Sequence, residues 1–299
     1  MKELLIIGGG PAGLTASIYS ARKKVDFVLI TKDVGGQALW GAEIDNYLGY
    51  HLIPGTELVG KFNQHVDSFD IEKYFDEVIQ FQKIDDSFLI ATKANRQLKS
   101  KAVIIATGKK PRFLKIPGEK EFHGRGVTYC STCDAPLFSG MPTLVVGGGN
   151  AGLEATMQLS MISPQVYLVT NKELTGDSVT QEKLRQKDNV KIFKFSRVKE
   201  IKGDSFVSKA ALETPEGDKE LDIRGIFVEI GAVPNTDLVR SLVDLNSLGE
   251  IKVNCMNETS SEAIFAAGDA TNVPEKQIIV AAGEGAKAAL AAYSYLCRH

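Results

Sequence analysis

The chain has 299 residues, of which 43% are hydrophobic and 24% are charged, and this composition is typical of a globular protein with two domains of ordinary size. A formal net charge of −2 and the lack of a long basic run argue against a nucleic-acid or membrane-surface role. No apolar stretch reaches the roughly 18 residues that a membrane-spanning helix needs.

The first predicted element is a short buried strand at residues 4–7, which leads into a glycine turn at residues 8–13 (GGGPAG) and then into a helical pattern. Four apolar residues are too few for the core of a signal peptide, so a cytoplasmic protein is expected. Gly8, Gly10 and Gly13 form a G-x-G-x-x-G fingerprint. In this pattern the first glycine makes the tight turn, the second lets the backbone approach a pyrophosphate, and the third lets the helix pack on the strand.

Cys130 and Cys133 form a C-x-x-C motif in a chain that has four cysteines. So few cysteines do not suit a disulfide-stapled secreted fold. The motif can be half of a zinc site, a redox pair or a coincidence. Structural zinc wants four ligands, and the sequence offers neither a second such pair nor clustered histidines. A redox pair can close into a disulfide whose reduction exposes a nucleophilic thiolate. Cys255 and Cys297 are isolated, and no role is assigned to them.

Residues 143–156 repeat the opening of the chain, since they match residues 4–17 at eight of fourteen positions when aligned without gaps. Gly147, Gly149 and Gly152 form a second fingerprint, again after a strand and before a helix. One such cluster can be a mere turn, whereas two in matching contexts strongly favour two dinucleotide sites.

Two later strands extend the repeat, because residues 102–111 and 225–234 each form a buried strand that closes in Gly-x-x-Pro. The last strand segment, at residues 263–269, ends in Gly-Asp and resembles neither opening strand. A long alanine-rich helix follows at about residues 277–296.

These elements predict an α/β fold of two Rossmann-like dinucleotide-binding domains, the second inserted into the first. Residues 1–111 and 237–299 would form the outer domain, and residues 112–236 the inserted one. The C-x-x-C motif would then lie in the inserted domain, just ahead of the second glycine turn.

Six motifs follow one another in a specific order: GGGPAG at 8–13, GGQ at 35–37, ATG at 106–108, CSTCD at 130–134, GGGN at 147–150 and AAGD at 266–269. In this order they resemble the low-molecular-weight thioredoxin reductase family, and they are also similar to the flavoprotein portion of the reductase subunit of alkyl hydroperoxide reductase. The resemblance covers essentially the whole chain. Larger disulfide reductases place their cysteines beside the first dinucleotide fold, so the small-reductase architecture is the one supported here.

The resemblance implies that the outer domain binds FAD. Gly35, Gly36 and Gln37 would lie on the loop beside the flavin. Asn46 lies in a further matching stretch, and Asp269 would hydrogen-bond the ribityl or phosphate region. Read alone, Asp269 would more readily be a turn residue after a strand, and only the full set of motifs favours the cofactor role. The other expected FAD residues are Gly8, Gly10, Pro11, Ala12, Gly13, Ala106, Thr107, Gly108, Gly268, Lys276, Gln277 and Ile278.

By the same resemblance Cys133 would face the flavin, Cys130 would attack the partner's disulfide, and Asp134 would protonate a leaving thiolate. Taken alone, Asp134 is as readily a helix cap. Electrons would pass from a reduced donor to FAD, then to the cysteine pair and on to a thioredoxin-like protein. The family rotates its inserted domain between these steps, here on connections near residues 109–114 and 231–237, which contain Gly or Pro.

The choice between NADH and NADPH is usually set by the residues that follow the second strand of the dinucleotide fold, after the glycine turn and its helix. An acidic residue there bonds the ribose hydroxyl of NADH, whereas arginines bind the 2′-phosphate of NADPH. NADPH-dependent members of the family carry an arginine-rich stretch there, whereas this chain has TNKE at residues 170–173. NADH is therefore the expected donor, and NADPH is disfavoured. Relaxed use of both nicotinamides and reduction by ferredoxin stay open. The expected nicotinamide residues are Gly147, Gly149, Asn150 and Gly152.

The alkyl hydroperoxide reductase subunit carries extra N-terminal thioredoxin-like domains, which this chain is expected to lack because it begins at its FAD strand. The expected acceptor is a separate thioredoxin, a glutaredoxin-like protein or a protein disulfide oxidoreductase.

The family resemblance implies a homodimer, and no nucleic acid, membrane or metal partner is expected. Two other classes stay open: a flavin NAD(P)H oxidase or ferredoxin reductase, which would not need the C-x-x-C, and a redox sensor without multiple turnover.

Overall fold

The computed structural model describes residues 1–40 and 44–299. The strands are β1 (Lys2–Ile7), β2 (Phe27–Thr31), β3 (Lys73–Phe75), β4 (Val78–Ile84), β5 (Ser87–Thr92), β6 (Gln97–Ile105), β7 (Lys109–Pro111), β8 (Val127–Thr128), β9 (Thr143–Val146), β10 (Val166–Val169), β11 (Val190–Phe193), β12 (Arg197–Gly203), β13 (Val207–Thr214), β14 (Gly217–Asp222), β15 (Gly225–Val228), β16 (Ala232–Pro234) and β17 (Ile264–Ala266). The α-helices are α1 (Pro11–Arg22), α2 (Gly55–Asp67), α3 (Ser131–Asp134), α4 (Asn150–Leu159), α5 (Ser178–Arg185) and α6 (Ile278–Leu296). Short 3₁₀ turns are formed by Gly36–Trp40, Ala135–Phe138, Asp237–Val239 and Gly268–Ala270.

The chain divides into two units. The first comprises Met1–Trp40, Tyr47–Lys110 and Val233–His299, and the second comprises Pro111–Ala232 with the described part of Gly41–Asn46. The sequence-based boundaries differ in placing residues 44–46 and Pro111 in the first domain and residues 233–236 in the second. The structure keeps Asn235 in the first unit because Thr107 Oγ1 donates to the Asn235 carbonyl oxygen (2.7 Å) and Asn235 Nδ2 donates to the Thr107 carbonyl oxygen (2.9 Å).

The sheet of the first unit has the strand order β3-β2-β1-β6-β5-β4, and β17 pairs with the C-terminal half of β6. The pairings of β1 with β2 and β6, of β2 with β3, and of β17 with β6 are parallel, whereas β4 and β5 join antiparallel. The strand β1 is buried from Leu4 to Ile7, which is why its sequence is a continuous apolar run rather than an alternating one. The helices α1 and α6 pack so closely that a Cβ on Gly285 would lie 2.0 Å from the Ala12 carbonyl oxygen.

The second unit contains a parallel sheet in the order β11-β10-β9-β15-β8 and an antiparallel meander, β12-β13-β14. The charges on the meander are paired across its strands. Arg197 contacts Glu213 (2.8 Å) and Lys199 contacts Asp218 (2.9 Å).

Each unit thus contains a sheet with parallel central strands, one of which leads through a glycine turn into a helix. This arrangement confirms the predicted α/β fold with two Rossmann-like domains, the second inserted into the first. The predicted terminal helix at about 277–296 is α6. Across residues 1–40 and 44–299, no helix is both long enough and apolar enough to cross a bilayer.

Candidate functional site

The first glycine turn joins β1 to α1. Gly8 has a φ of +116°, and a Cβ there would lie 2.2 Å from the Ala106 carbonyl oxygen. A Cβ on Gly13 would lie 1.8 Å from the Gly8 carbonyl oxygen, so α1 can approach the turn this closely only without a side chain at that position. A Cβ on Gly10, in contrast, would meet no described atom within 4 Å. The N-terminus of α1 is therefore an open backbone cradle of the kind that binds a pyrophosphate.

The loop after β2 folds back onto this turn. The Gly35 N–H donates to the Gly9 carbonyl oxygen (2.7 Å), and Gly36 continues the loop into the following 3₁₀ turn. The Gln37 side chain then donates Nε2 to the Lys109 carbonyl oxygen (2.7 Å). The three predicted flavin-loop residues are thereby held beside the first glycine turn and the start of β7.

Asp269 follows β17 at the same edge of the sheet. Burial raises the pKa of its carboxyl group, and the Lys109 ammonium, whose Nζ lies 3.7 Å from Oδ2, opposes that shift. The preceding Gly268 packs on α1, where a Cβ would lie 3.0 Å from the Ala12 Cβ. A buried carboxyl group of this kind can accept hydrogen bonds from sugar or ribityl hydroxyls.

The predicted FAD residues before α6 lie in the first unit as well. Gln277 is the extended residue before α6, and Ile278 is the first residue of the helix. Lys276 donates Nζ to the Thr271 carbonyl oxygen and forms an ion pair with Glu250 (2.9 Å). These contacts fix the Lys276 side chain at the start of the helix.

The structure brings every predicted FAD residue except Asn46 into the first unit. Ala106, Thr107 and Gly108 leave the end of β6 beside β1, where the Ala106 N–H donates to the Ile7 carbonyl oxygen (2.8 Å). Asn46 is exposed and belongs to the second unit.

The second glycine turn, between β9 and α4, has nearly the same geometry as the first. Gly147 has a φ of +142°, and a Cβ there would lie 2.2 Å from the Glu229 carbonyl oxygen. A Cβ on Gly152 would lie 1.9 Å from the Gly147 carbonyl oxygen, while one on Gly149 would meet no atom of the described chain within 4 Å. The repeat seen in the sequence is thus a repeat in backbone structure.

The loop after β10 closes onto this second turn. The N–H groups of Thr175 and Gly176 donate to the Gly148 carbonyl oxygen (2.8 and 3.2 Å). The Asp177 N–H donates to Oδ1 of Asn150, the first residue of α4 (2.7 Å). Asn150 therefore positions this loop in addition to starting the helix.

The end of β10, where donor choice is usually set, carries a hydroxyl rather than a charge. Thr170 is buried, and a Cβ on Gly148 would lie 2.6 Å from its Oγ1. Glu173 lies further along the loop and is paired with Lys194 (2.9 Å). Residues 170–177 contain no arginine, so this loop supplies no guanidinium for a 2′-phosphate.

Cys130 and Cys133 form a disulfide, with their Cα atoms 5.3 Å apart. Cys130 is the N-cap of α3, and its Sγ accepts the Cys133 N–H (3.2 Å). Cys255 and Cys297 are free and exposed. The two sulfurs of the C-x-x-C are bonded to each other, which favours the redox pair over the zinc half-site.

Asp134, the last residue of α3, is 9% exposed. Its Oδ2 accepts a hydrogen bond from the Thr128 hydroxyl, whereas Oδ1 has no hydrogen-bond partner among the residues that the structure describes. Burial raises the pKa of Asp134, and the Thr128 hydroxyl partly opposes the shift. A buried carboxyl group of raised pKa beside a disulfide is suited to hold and deliver a proton.

Sequence reasoning missed Glu229, the residue that directly follows β15. Its Oε1 accepts the Ser131 N–H (3.1 Å), while its carbonyl oxygen lies against Gly147. One residue therefore contacts both the disulfide helix and the second glycine turn. A signal existed in the repeat, because Glu229 takes the place that the buried Ala106 has in the first half.

Glu119 was also missed, although it is only 4% exposed. Its carboxylate accepts the N–H groups of Leu114 and Lys115 (2.7 Å each) and the hydroxyl of Tyr129 (3.0 Å). Glu119 thereby fastens the segment after β7 to the residue that precedes Cys130.

Comparison with known proteins agrees with this geometry. The sequence profile of the pyridine nucleotide-disulphide oxidoreductase family matches residues 2–285. An alkyl hydroperoxide reductase subunit of Escherichia coli is 40% identical over 304 residues, and an NADH dehydrogenase of Bacillus subtilis is 39% identical over 301. These alignments cover 99% of this chain but 58% and 59% of the relatives, so the chain spans under two thirds of their length.

Among solved structures, thioredoxin reductase from Streptococcus pyogenes superposes with a TM-score of 0.95 at 34% identity, covering 100% of this chain and 99% of that one. The fold is therefore that of thioredoxin reductases. Together, the sequence and structure matches confirm the family resemblance predicted from the six ordered motifs.

Proposed function

The chain belongs to the pyridine nucleotide-disulphide oxidoreductase family, and on that premise we propose that it passes electrons from NADH, through FAD and the Cys130–Cys133 disulfide, to a thioredoxin-like protein. The observation that carries the proposal is the disulfide itself. It lies in the unit that holds the second glycine turn, and the buried Asp134 ends the same short helix. An oxidase on this scaffold would need neither feature.

The residues of the first unit fit FAD. The open face at Gly10 and the N-terminus of α1 suit its pyrophosphate, and the buried Asp269 suits its ribityl or phosphate region. FAD bound there would supply a two-electron carrier able to exchange electrons with a disulfide. Fixed backbone at residues 8–13 and the loop at residues 35–37 would orient it.

The cysteines and Asp134 would carry out the thiol chemistry. The Cys130 thiolate attacks one sulfur of the partner's disulfide, a new sulfur–sulfur bond forms, and the partner's own bond breaks. The leaving thiolate takes a proton, which Asp134 would supply. Cys133 then attacks Cys130 in the mixed disulfide, which releases the partner as a dithiol and restores the Cys130–Cys133 bond.

NADH is the proposed donor because residues 170–177 carry no arginine. The Bacillus subtilis relative, named an NADH dehydrogenase, also supports this choice. Anaerobic stopped-flow mixing of the flavoprotein with NADH, NADPH or reduced ferredoxin tests it directly. We expect NADH to bleach the flavin absorbance fastest, and bleaching by ferredoxin alone would overturn the choice of donor.

The acceptor step is tested with Cys130→Ser and Cys133→Ser, measured against thioredoxin and glutaredoxin-like acceptors. Loss of either sulfur should lower acceptor reduction by at least about 100-fold, because the covalent route is removed. Flavin reduction by NADH should change little. Cys255→Ser is the matched control, since Cys255 is a free and exposed thiol outside this site.

A second candidate is an NADH oxidase or dehydrogenase that works without the disulfide, and the name of the Bacillus subtilis relative favours it. In that case Cys130→Ser would keep full NADH consumption with oxygen or a quinone as acceptor.

We also propose a homodimer, as the family resemblance implies. Sedimentation equilibrium of the flavin-loaded protein measures it, and a monomer at all concentrations would contradict it.

A further inference from the structure

Thr128, the last residue of β8, makes two hydrogen bonds around the disulfide. Its Oγ1 accepts the Cys130 N–H (3.2 Å), and its hydroxyl donates to Oδ2 of Asp134. Thr128 is 7% exposed, so water has little access to replace either bond. One hydroxyl group therefore joins the backbone of a cysteine to a carboxyl group six residues away.

This bridge makes the two oxygens of Asp134 different. A threonine hydroxyl has one hydrogen to donate, and here it points to Oδ2. Oδ1 is buried and accepts no hydrogen bond within residues 1–40 and 44–299. Oδ1 is thus the oxygen at which a proton can reside and be exchanged.

We propose that Thr128 is a positioning residue that holds Asp134 with Oδ1 as its proton-carrying atom, and that it sets the pH range in which the Cys130–Cys133 disulfide opens. The inference rests on the proposed role of Asp134 as the acid. When an external thiolate attacks the disulfide, a new sulfur–sulfur bond forms and the Cys130–Cys133 bond breaks. The leaving sulfur takes the proton of Asp134, and the Thr128 hydroxyl then stabilises the carboxylate that remains.

The groups packed around α3 leave Thr128 as a principal influence on Asp134. The helix α4 brings Glu154, which is exposed, and β15 is followed directly by Glu229, which accepts the Ser131 N–H. The 3₁₀ turn Ala135–Phe138 carries no titratable side chain. Burial raises the pKa of Asp134 and the Thr128 hydroxyl lowers it.

The test uses the oxidised, flavin-loaded protein and dithiothreitol, with no nicotinamide and no protein acceptor. The rate of disulfide opening is followed by alkylation and mass spectrometry across the neutral pH range, and is normalised to the concentration of dithiothreitol thiolate. The variants are Thr128→Val, Thr128→Ser, Asp134→Asn and the double variant Thr128→Val/Asp134→Asn. Thr128→Ser keeps the hydroxyl and should keep the wild-type profile.

In the wild type the normalised rate should fall as the pH rises through the pKa of Asp134, because the proton donor is lost. Thr128→Val should move this fall to higher pH by about one unit, a tenfold change in the protonation equilibrium, since the carboxylate loses a hydrogen-bond donor. Asp134→Asn should make the normalised rate independent of pH. The double variant Thr128→Val/Asp134→Asn should be equally independent of pH.

Each failure has a distinct signature. If Asp134→Asn removes the fall but Thr128→Val does not move it, the inference about Thr128 is wrong while the acid role of Asp134 stands. If Asp134→Asn leaves the wild-type profile unchanged, the acid role fails and the inference falls with it. If Thr128→Val still changed the pH profile when Asp134 was already asparagine, Thr128 would be acting through another group and the inference would be wrong. Near-ultraviolet circular dichroism of the flavin checks that each variant is folded.

Discussion

Burial raises the pKa of Asp134 and of Asp269, because a buried site disfavours the charged form of a carboxyl group. Asp269 lies 3.7 Å from the Lys109 ammonium, which offsets part of that effect. For Asp134 no cation of the described chain contributes to the pKa. By contrast, two lysines lower the pKa of the exposed Glu220 to about 2. The raised pKa of Asp134 is therefore not offset by a neighbouring cation, which is consistent with the proposed role as a proton donor.

The substitution Asp134→Asn should raise the free energy of unfolding at neutral pH and leave it unchanged at acid pH. The native state of the wild type keeps its Asp134 proton at pH values where the unfolded chain, with a pKa of about 3.9, has lost it. As the pH rises above the pKa of the unfolded chain, loss of this proton therefore stabilises the unfolded state and lowers the free energy of unfolding of the wild type. We expect a gain of about 1–3 kcal/mol, the scale of a buried unpaired polar group, from urea unfolding at several pH values. A gain that is equal at all pH values would contradict this.

The substitution Glu119→Gln should lower the free energy of unfolding by about 1–3 kcal/mol. An amide has one acceptor oxygen, so it cannot accept the N–H groups of both Leu114 and Lys115 as the two carboxylate oxygens do. Urea unfolding measures the loss. Glu121→Gln, on the exposed part of the same segment, is the control and should change stability little. Equal effects of the two substitutions would show that the hydrogen bonds of Glu119 add no stability beyond that of an exposed acid.

The cysteines and Asp134 could be found from the sequence because they form a motif of fixed spacing. Thr128 and Glu119 could not, since each acquires its partners only when an irregular segment has folded. No periodicity marks a single hydroxyl at the end of a two-residue strand. Polar residues of this type become visible only through their hydrogen bonds.

At the scale of elements, the strands that lead into glycine turns were predictable because the strand, the turn and the helix are adjacent in sequence. The meander of β12, β13 and β14 was not. In β12 the buried residues are Val198 and Ile201, three apart, because a bulge between Val198 and Glu200 breaks the period of two. Its position depends on pairing with β13, which the sequence of β12 alone does not encode.

The third glycines of the two turns provide a matched pair of substitutions. Gly13→Ala should weaken FAD binding by about tenfold or more, because its Cβ would collide with the Gly8 carbonyl oxygen and push α1 off the turn. Gly152→Ala should instead weaken binding of the nicotinamide dinucleotide and leave FAD bound. The flavin absorbance per protein and calorimetric titration with NAD⁺ measure the two effects.

The control for this pair is Gly60→Ala in α2, where a Cβ would meet no described atom within 4 Å. This substitution should leave both ligands bound and, if anything, stabilise the helix by roughly 0.4–1 kcal/mol. If Gly152→Ala released FAD as readily as Gly13→Ala does, the assignment of the two turns to different ligands would be wrong.

At the scale of the whole molecule, two domains could be predicted because the chain repeats its own strand–turn–helix pattern. The insertion of one into the other could be predicted because the final segment resembles neither opening strand. The exact allocation of connecting residues could not. Residues 44–46 lie in the second unit although more than sixty residues separate them from Pro111, and such an association leaves no local trace in the sequence. The bonds between Thr107 and Asn235 are likewise long-range.

Removal of FAD should lower the unfolding temperature of the protein. A ligand that binds only the native state stabilises it by about 2.7 kcal/mol at 100 times its dissociation constant, which corresponds to roughly 5–10 °C for a unit of this size. Differential scanning calorimetry of the loaded and stripped protein measures the shift, and added FAD should reverse it. Gly13→Ala should recover less of the shift at the same FAD concentration, because its binding is weaker, and a full response by that variant would count against the proposed cradle.

The two exposed free thiols, Cys255 and Cys297, give the protein a built-in reference for its own oxidation state. With four cysteines in the chain and two of them in the disulfide, the denatured oxidised protein should react with two equivalents of a thiol reagent. The two-electron reduced disulfide should raise that number to four. Counting sulfhydryls after rapid denaturation therefore reports the electrons held on the cysteine pair independently of any colour change.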